Sequence, residues 1–399
     1  MTGRGVLGAI GQPGRVGRRQ LLRGAGLGAL AIGAPGLLGA CGTDSQQQTA
    51  DSCRSTDLSD EEKVLNFSNW PEYIDVKGQR MPTLEAFEQE FGIDVTYNTD
   101  INDNAEFFGK VKDQLGSCEA IGRDIITMTD ETAGRMISLG WMQELDKSNL
   151  PNVEANLIES LRAPSWDPER KYSVPWQAGL TGIAYNEKYT GPISSFEELV
   201  TREDLKGKIG LLTEMPDTMA FMLRMIGADS ADFTPEEWEE AISRLEEIVA
   251  SGQVRRFTGN DYIRDIKSGN LVACEAWSGD IFANQRANPE LKFISPEEGL
   301  NIWSDNMMVP NKADHKTNAE MLMNYYYDPA VAAELAAWVW YICPVEGAQE
   351  EMRKIAPKLA DEELIFPTPD FLANTHDFMA LEESTRQQYD KDFAQAIGA

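Results

Sequence analysis

Residues 64–73 read Val-Leu-Asn-Phe-Ser-Asn-Trp-Pro-Glu-Tyr, an apolar run followed directly by two aromatic rings that bracket a carboxylate. The run has the length and character of a buried first strand, and the aromatic turn stands at its carboxyl end. Such a turn can hold an alkyl ammonium ion, because the rings cover its methylenes and the carboxylate accepts its hydrogen bonds. Trp70 and Tyr73 can also be plain core aromatics in a strand-to-helix turn, so the stretch alone leaves both interpretations open.

Helices and strands alternate after this first strand. An apolar stripe of Leu84, Phe87 and Phe91 predicts a helix that ends at Gly92, and residues 93–97 alternate apolar and polar side chains as a strand does. The same alternation continues with a helix over 108–115, a strand at 124–127 and a helix around 136–139. This order predicts an α/β fold of parallel strands with helices on both faces.

A second set of elements begins after residues 172–176. We predict strands at 183–186, 209–212, 271–274 and 307–310, helices over 235–251, 318–326 and 329–340, and a polar, helical carboxyl-terminal region. The roughly 340 residues that follow the amino-terminal region exceed what a single hydrophobic core comfortably serves, so two lobes are expected.

The amino-terminal region has the order of an export signal. Basic residues over 15–23 precede a short apolar stretch over 24–39, and Leu38-Gly39-Ala40-Cys41 follows. The run beginning Arg18-Arg19 resembles a twin-arginine signal, and the last four residues resemble a bacterial lipoprotein cleavage box in which Cys41 is acylated. A transmembrane helix is the alternative, but the stretch is short and glycine-rich for a span of about 20 residues. The polar residues 42–60 are predicted to form a flexible leash.

The chain is strongly acidic. Its formal charge is −29, and the five arginines of residues 1–40, which hold no acid, leave the remainder at −34. Such a body repels nucleic acid and anionic lipid and draws cations toward any cleft. Solubility in a salty habitat accounts for the same excess equally well.

The cysteines and histidines argue against a metal site. Besides Cys41, the cysteines are Cys53, Cys118, Cys274 and Cys343, which in an oxidising compartment allow two disulfides in three connectivities that the sequence does not rank. The chain has no Cys-x-x-Cys pair, and its two histidines, at positions 315 and 376, are far apart. We expect no zinc site and no cofactor.

Acidic and aromatic side chains recur together elsewhere in the chain. Trp277-Ser278-Gly279-Asp280 follows one predicted strand, Trp303-Ser304-Asp305 precedes another, and Tyr341 follows a long apolar helix. Glu214 and Asp217 follow the strand at 209–212, where they are either paired ligand groups or caps for helix amides. Open α/β sheets bind ligands at the carboxyl ends of their strands, so we expect these groups to face one cleft.

These motifs, together with Tyr172-Ser173-Val174-Pro175 and Met307-Met308-Val309-Pro310, resemble the spermidine/putrescine-binding proteins of ABC importers. The resemblance runs from about Leu65 to Gly347. It implies a type II periplasmic-binding-protein fold, in which two α/β lobes with mainly parallel sheets are joined by hinge strands and close on a ligand between them. The corresponding division is a signal at 1–40, a tether at 41–61, lobe 1 at 62–176 and 306–350, and lobe 2 at 177–305 and 351–399.

The resemblance also implies roles for individual residues. Three tryptophans match the rings around the methylene chain, and three acids match the ammonium contacts. One tyrosine matches a hydrogen-bonding position, a second matches a ligand-contacting tyrosine, and a threonine stands where the family has a serine. Two further acids match one end of the site. In that order these are Trp70, Trp277 and Trp303; Glu72, Asp280 and Asp305; Tyr73, Tyr341 and Thr129; Glu214 and Asp217. Glu131 departs from the pattern, since the spermidine-binding members carry a tyrosine there, and it either adds a carboxylate to the cleft or turns one toward solvent.

Two other classes of protein are weighed against this interpretation. Glu214 and Asp217 could serve a glycosidase as acid and nucleophile, but no nucleophile elbow, P-loop or dinucleotide fingerprint is present in the sequence. Residues 100–104 begin like a calcium loop, but Ala105 and Val111 stand where a glycine and a bidentate glutamate are needed. The same fold could also hold another organic cation or small solute. An amino-acid ligand normally needs an arginine, which these motifs lack.

The sequence therefore predicts a monomeric, lipid-tethered solute receptor on the outer face of the cytoplasmic membrane or in the periplasm. It would capture a polyamine, deliver it to an ABC permease and catalyse no reaction. The preferred polyamine, the cysteine pairing and the choice between transport and sensing stay open, although Glu131 and the number of acids favour a longer polyamine.

Overall fold

The structure is a computed structural model that describes Cys53 and residues 55–399. The predicted signal at 1–40, the acylated Cys41 and most of the predicted tether lie outside the described residues. Among the residues that the structure describes, no helix combines the length and the apolar character needed to cross a bilayer.

The described part of the chain contains ten strands. They are β1 Val64–Ser68, β2 Asp94–Asn98, β3 Ile125–Thr129, β4 Val174–Asn186, β5 Ile209–Leu212, β6 Val254–Thr258, β7 Ala273–Trp277, β8 Leu291–Ile294, β9 Leu300–Met308 and β10 Thr375–His376.

Fourteen α-helices connect and cover these strands within the described residues. They are α1 Pro82–Phe91, α2 Asn104–Gly116, α3 Asp130–Ser138, α4 Pro151–Asn156, α5 Phe196–Thr201, α6 Met215–Met225, α7 Pro235–Ala250, α8 Tyr262–Ser268, α9 Ser278–Gln285, α10 Lys316–Tyr325, α11 Pro329–Val339, α12 Ala348–Ile355, α13 Pro369–Leu372 and α14 Glu383–Ile397. Short 3₁₀ turns lie at Lys147–Asn149, Glu159–Leu161 and Glu203–Leu205.

The strands form one sheet in the order β2-β1-β3-β9-β4-β7-β5-β6, with β10 beside β9 and β8 beside β4. β1 is parallel to β2 and β3, and β5 is parallel to β6 and β7. Between these parallel sets lie β9 and β4, which run antiparallel to each other and to their outer neighbours β3 and β7. Two parallel sets are thus joined by two long crossing strands, which confirms the predicted α/β class.

The strand register brings the carboxyl ends of both parallel sets to the middle of the crossing strands. Thr129, the last residue of β3, pairs with Asp305 of β9. Trp277, the last residue of β7, pairs with Thr181 of β4, which in turn pairs with Asn301 of β9. Side chains that follow strands of either set therefore converge over one short stretch of β9.

Two hydrophobic cores flank this junction. The larger one packs the first parallel set around Phe67 and Phe87 and extends through Trp277. The smaller one lies under the second set, with Trp238 of α7 buried between α6 and the carboxyl-terminal helix α14. A buried Trp or Phe in such a core contributes roughly 1.5–3 kcal/mol by leaving water.

Most predicted elements are confirmed, with shifts where the chain crosses between the cores. α1 begins at Pro82 and ends at Gly92, whose φ of 68° is left-handed and suits glycine. The predicted strand at 271–274 was wrong by about two residues, since β7 spans Ala273–Trp277. The strand predicted at 307–310 begins at Leu300, so Trp303 and Asp305 lie within β9 rather than before it. Because β9 is buried on both faces, its sequence does not alternate between apolar and polar residues, and no such pattern marks where the strand begins.

One disulfide joins described cysteines. Cys53 and Cys118 are bonded and close a loop with a sequence separation of 65, whereas Cys274 and Cys343 are buried and free. Of the two disulfides that these four cysteines could form, the structure therefore contains one. The bond ties the segment before β1 to the end of α2.

The double variant Cys53→Ser/Cys118→Ser should unfold more easily than the wild type. Opening a loop of this size increases the entropy of the unfolded chain, and we expect a loss on the order of 2–4 kcal/mol in the free energy of unfolding. Urea denaturation of both proteins, followed by tryptophan fluorescence, measures the difference. Cys343→Ser alone is the control for thiol removal, and a double variant no less stable than this control would contradict the prediction.

Candidate functional site

A narrow cavity, called the slot here, lies where the strand ends converge. Its walls are formed by Trp70, Pro71, Tyr73, Asn104, Thr129, Glu214, Asp217, Asn260, Trp277, Asp280, Trp303, Asp305 and Tyr341. The space that these side chains leave open is about 30 Å³, room for roughly two water molecules, so the walls lie close together in this structure. Ten of the twelve predicted ligand-binding residues line this slot, and the two exceptions are Glu72 and Glu131.

Three tryptophan rings form the apolar walls. Trp277 lies edge-to-face against Trp70, with centroids 5.7 Å apart, and against Trp303, with centroids 6.3 Å apart. Hydrogen bonds fix two of the rings, because the indole of Trp70 donates to the Thr127 carbonyl at 3.1 Å and that of Trp303 to the Thr181 hydroxyl at 2.8 Å. Contacts within the protein are therefore enough to orient the rings.

Two glycines allow this close packing. A Cβ on Gly179 of β4 would come within 2.4 Å of the Trp303 ring, and a Cβ on Gly279 of α9 would come within 2.4 Å of Tyr341. Neither position can hold a larger residue without displacing a slot side chain.

Asp305 and Asp280 are each held by tyrosine hydroxyls. Asp305 accepts hydrogen bonds from Tyr73 at 2.8 Å and from Thr129 at 2.7 Å. Asp280 accepts from Tyr341 at 2.9 Å, and also from two side chains that follow β6 in its own parallel set, the Tyr262 hydroxyl at 2.7 Å and the Asn260 amide at 3.0 Å. Tyr73 and Tyr341 contact each other, with ring centroids 4.9 Å apart, so the two aspartates share one tyrosine pair.

Glu214 and Asp217 lie at the start of α6. Asp217 accepts from Thr181 of β4, which also receives the Trp303 indole bond. Glu214 does not cap its own helix, although helix capping was one of the two interpretations of this acid. It accepts instead from the backbone N–H of Asn104 at 2.6 Å and from the Asn104 amide at 3.0 Å. The acid thus satisfies an amide at the first turn of α2, on the other side of the slot.

Burial makes all four slot acids harder to ionise. It raises the pKa of Asp305 and that of Asp280 to about 7 each, against the hydrogen bonds that favour the carboxylates, and raises the pKa of Asp217 to about 6. Burial, with Asp103 nearby, raises the pKa of Glu214 well above its ordinary value. A cation in the slot would reverse this cost, because an opposite charge favours the ionised form.

The two predicted residues that do not line the slot lie at its margins. Glu72 is exposed, has a left-handed φ of 55° and accepts a hydrogen bond from Asn284 at 3.0 Å. Glu131 lines a wider cavity that adjoins the slot and forms an ion pair with Arg386 of α14. Its carboxylate therefore neither faces the slot nor turns freely to solvent.

The sequence interpretation missed three polar residues of the site. Asn104, at the start of α2, bonds both Glu214 and Thr129, while Asn260 and Tyr262 bond Asp280. Asn260 follows β6, so the rule that ligand groups follow strands would have found it if β6 had been recognised. Asn104 belongs to the stretch considered as a calcium loop, where Asp100 pairs with Arg123 at 2.7 Å and Asp103 caps α2.

The slot combines negative charge with apolar ring surface, which suits a cation that carries methylene groups. Its walls combine four acids with three indoles, and the described residues that line it include no lysine or arginine. Among the described residues there is also no cluster of three or more histidine, cysteine or acidic side chains suited to a metal ion.

Comparison with protein families gives a match over residues 83–367 to the model described as bacterial extracellular solute-binding protein. The chain belongs to this family. This solute-binding protein has the fold of the type II periplasmic binding proteins, in which crossing strands join two parallel strand sets.

Individual relatives agree with the family match. The chain is 26% identical over 318 residues to the spermidine/putrescine-binding periplasmic protein of Escherichia coli, covering 79% of this chain and 86% of the relative. It is 27% identical to the putrescine-binding periplasmic protein PotF of the same organism, covering 71% and 78%. A solved structure from Listeria monocytogenes, provisionally assigned to a spermidine/putrescine ABC transporter, has a TM-score of 0.73 at 26% identity and covers 84% of this chain and 99% of the neighbour. The Tp0655 lipoprotein of Treponema pallidum shares the fold, with a TM-score of 0.69 at 20% identity and coverages of 84% and 100%.

The raised pKa of Asp280 predicts a pH-dependent stability of the ligand-free protein. A group whose folded pKa is raised stabilises the fold below its unfolded pKa, near 4, and loses that contribution as the pH rises through about 7. As the pH rises from 4 to 8, the free energy of unfolding of Asp280→Asn should therefore increase relative to that of the wild type, by on the order of 1–4 kcal/mol. Urea denaturation at both pH values measures this gain. Asp261→Asn, at an exposed acid nearby, is the control, and equal pH profiles for Asp280→Asn and the wild type would contradict the prediction.

Proposed function

We propose that this solute-binding protein captures a polyamine of the spermidine/putrescine class in the slot and delivers it to an ABC permease. The observation that carries the proposal is the set of four buried acids and three indole rings around one cavity without a lysine or arginine in its lining. A polyamine has cationic groups at both ends and methylenes between them, so it matches both kinds of wall. A ligand with a carboxylate would meet only like charges there.

The energetics favour the same class of ligand. Each ammonium that contacts an indole face gains roughly 0.5–2 kcal/mol when it leaves water. An ammonium opposite a buried carboxylate also favours the ionised acid, and so offsets the cost of burial that raises its pKa. Tyrosine, threonine and asparagine donors hold the acids in place. The amines of a polyamine have a fixed spacing along the methylene chain, so only a ligand whose spacing matches that of the acids can pair with all of them.

The finer features belong to the same proposal. Residues 1–40 would direct export, Cys41 would carry the lipid, and the leash would tether a monomer to the outer face of the cytoplasmic membrane. The lobes, 62–176 with 306–350 and 177–305 with 351–399, would close by a hinge motion in the crossing strands β4 and β9. The protein would need no cofactor and would release its ligand chemically unchanged.

A melting screen of the protein truncated before residue 42 tests the ligand class. Binding to the folded state alone adds roughly 2.7 kcal/mol of stability at a ligand concentration one hundred times the dissociation constant. We expect putrescine, spermidine or spermine to raise the melting temperature, and common amino acids, maltose and calcium to leave it unchanged. A rise with one of the latter compounds, and with no polyamine, would keep the solute-binding protein and remove the polyamine.

Asp305→Asn should weaken polyamine binding at least tenfold. The change keeps the shape of the side chain and removes the charge opposite an ammonium, which costs roughly 2–5 kcal/mol for a buried pair. Isothermal titration calorimetry with the polyamine selected by the melting screen measures the loss. Glu246→Gln removes an acid from the exposed face of α7 and should leave the affinity unchanged, which separates a local contact from the overall acidity. Equal affinity of Asp305→Asn and the control would exclude Asp305 from the site.

A further inference from the structure

The carboxyl-terminal helix α14 belongs to the smaller core. The ring of Tyr389 stacks on Trp238 of α7 with centroids 3.9 Å apart, and Phe393 packs edge-to-face on Phe257 of β6. α14 follows residue 367, the last residue matched to the family model. It therefore packs with the second parallel strand set.

The polar side of α14 reaches the larger core through α3. Arg386 forms an ion pair with Glu131, and Arg135 makes two hydrogen bonds to Glu383, at 2.7 and 2.9 Å. Asp390 joins both arginines, accepting from Arg386 at 2.6 Å and from Arg135 at 3.4 Å. Glu131 and Arg135 lie on α3, whose Ala133 and Met136 are buried in the larger core, so these contacts link the two cores.

The residue that precedes α3 lines the slot. Thr129, the residue before α3, donates to Asp305 at 2.7 Å, and Asp130 accepts from the backbone N–H of Ser304 at 2.7 Å. Contacts that fix α3 against α14 therefore fix the position of a slot acid. Arg386 acts on the slot through Glu131 without touching it, which makes it a positioning residue.

We propose that α3 and α14 form a clasp, consisting of Glu131, Arg135, Glu383, Arg386 and Asp390, that holds the two lobes closed over the ligand. The inference rests on the proposed capture of a polyamine between lobes, and it identifies what regulates closure of that site. Glu131, the residue that departs from the family pattern, serves closure and leaves the number of acids facing the ligand at four.

The burial of the clasp gives it more weight than an ordinary surface ion pair. The side chains of Arg386 and Arg135 are 9% and 17% exposed. Water and salt screen such groups less than fully exposed ones, and removing one arginine leaves acids without their partner. The free energy lost in this way should shift the protein toward the open state, from which ligand escapes.

Three variants test the clasp. Arg386→Gln removes one cation. Glu131→Arg/Arg386→Glu exchanges the charges, so that α3 carries two cations and α14 three acids, and the attraction between the helices is restored. Arg202→Gln is the matched control, because Arg202 is 23% exposed and pairs with Glu198 and Asp204 beside the smaller core alone.

Stopped-flow tryptophan fluorescence with spermidine measures dissociation, and small-angle X-ray scattering of the ligand-free protein measures closure. We expect Arg386→Gln to release spermidine roughly three- to tenfold faster, with most of the affinity loss in the dissociation rate, and to have a larger radius of gyration. The exchanged double variant should recover both values, whereas Arg202→Gln should match the wild type. Recovery in the exchanged double variant would show that Arg386→Gln acts through the lost ion pair and not through misfolding. Circular dichroism monitors the folding of each variant.

Wild-type dissociation rates and radii in Arg386→Gln would overturn the clasp while leaving polyamine capture intact. So would a double variant that stays as impaired as Arg386→Gln. If the wild type binds no polyamine at all, the proposed function fails, and the scattering comparison of the ligand-free proteins still decides whether the clasp holds the lobes.

Discussion

The site depends on the cost of burying four carboxylates in one small cavity. Asp305, Asp280, Asp217 and Glu214 lie where water is largely excluded and where burial raises the pKa of each acid. Protein donors lower this cost without removing it, since hydroxyl and amide groups supply hydrogen bonds but no positive charge. A bound cation would supply the missing positive charge. The crossing strands, the two glycines that pack against slot rings and the tyrosine pair hold the four acids in fixed positions.

The crossing of β4 and β9 is the place where the proposed hinge motion would occur. These strands carry the pairing between the two parallel sets, and Asp305 and Trp303 of β9 lie at their middle. A hinge there would change the distance between the walls, and it would have to accommodate the larger core, which extends from the first set to Trp277 of β7. Glu214 belongs to the wall of the second set and accepts hydrogen bonds from Asn104 in the wall of the first, so the proposed opening would separate this pair.

Sequence patterns predicted the features that depend on short-range order and on strand ends. Trp70, Glu214 and Trp277 were selected because each ends or follows a predicted strand, whereas Thr129 was selected only through the family resemblance, and all four line the slot. The position of Trp303 and Asp305 inside β9 was not predicted, since a strand buried on both faces gives no alternation to read. Glu72 and Glu131 lie beside slot residues in sequence, but a left-handed turn directs the first outward and an arginine more than 250 positions later binds the second. No local pattern encodes a partner at that distance in the chain.

The donors around the acids also bear on release. A carboxylate with no protein partner would bind a cation most tightly, but it would leave the empty cavity too unstable to persist. Asp280, with three donors, and Asp305, with two, stand between these limits. Their hydrogen bonds keep the empty slot formed, so little reorganisation opposes capture. The bonds that Asp280 accepts from Tyr262 and Asn260 lie within one proposed lobe and would remain on opening, whereas its bond from Tyr341 joins the two lobes and would be lost with the cation contacts. A receptor that must pass its ligand onward needs both properties, and a fixed network of neutral donors around buried acids provides them together.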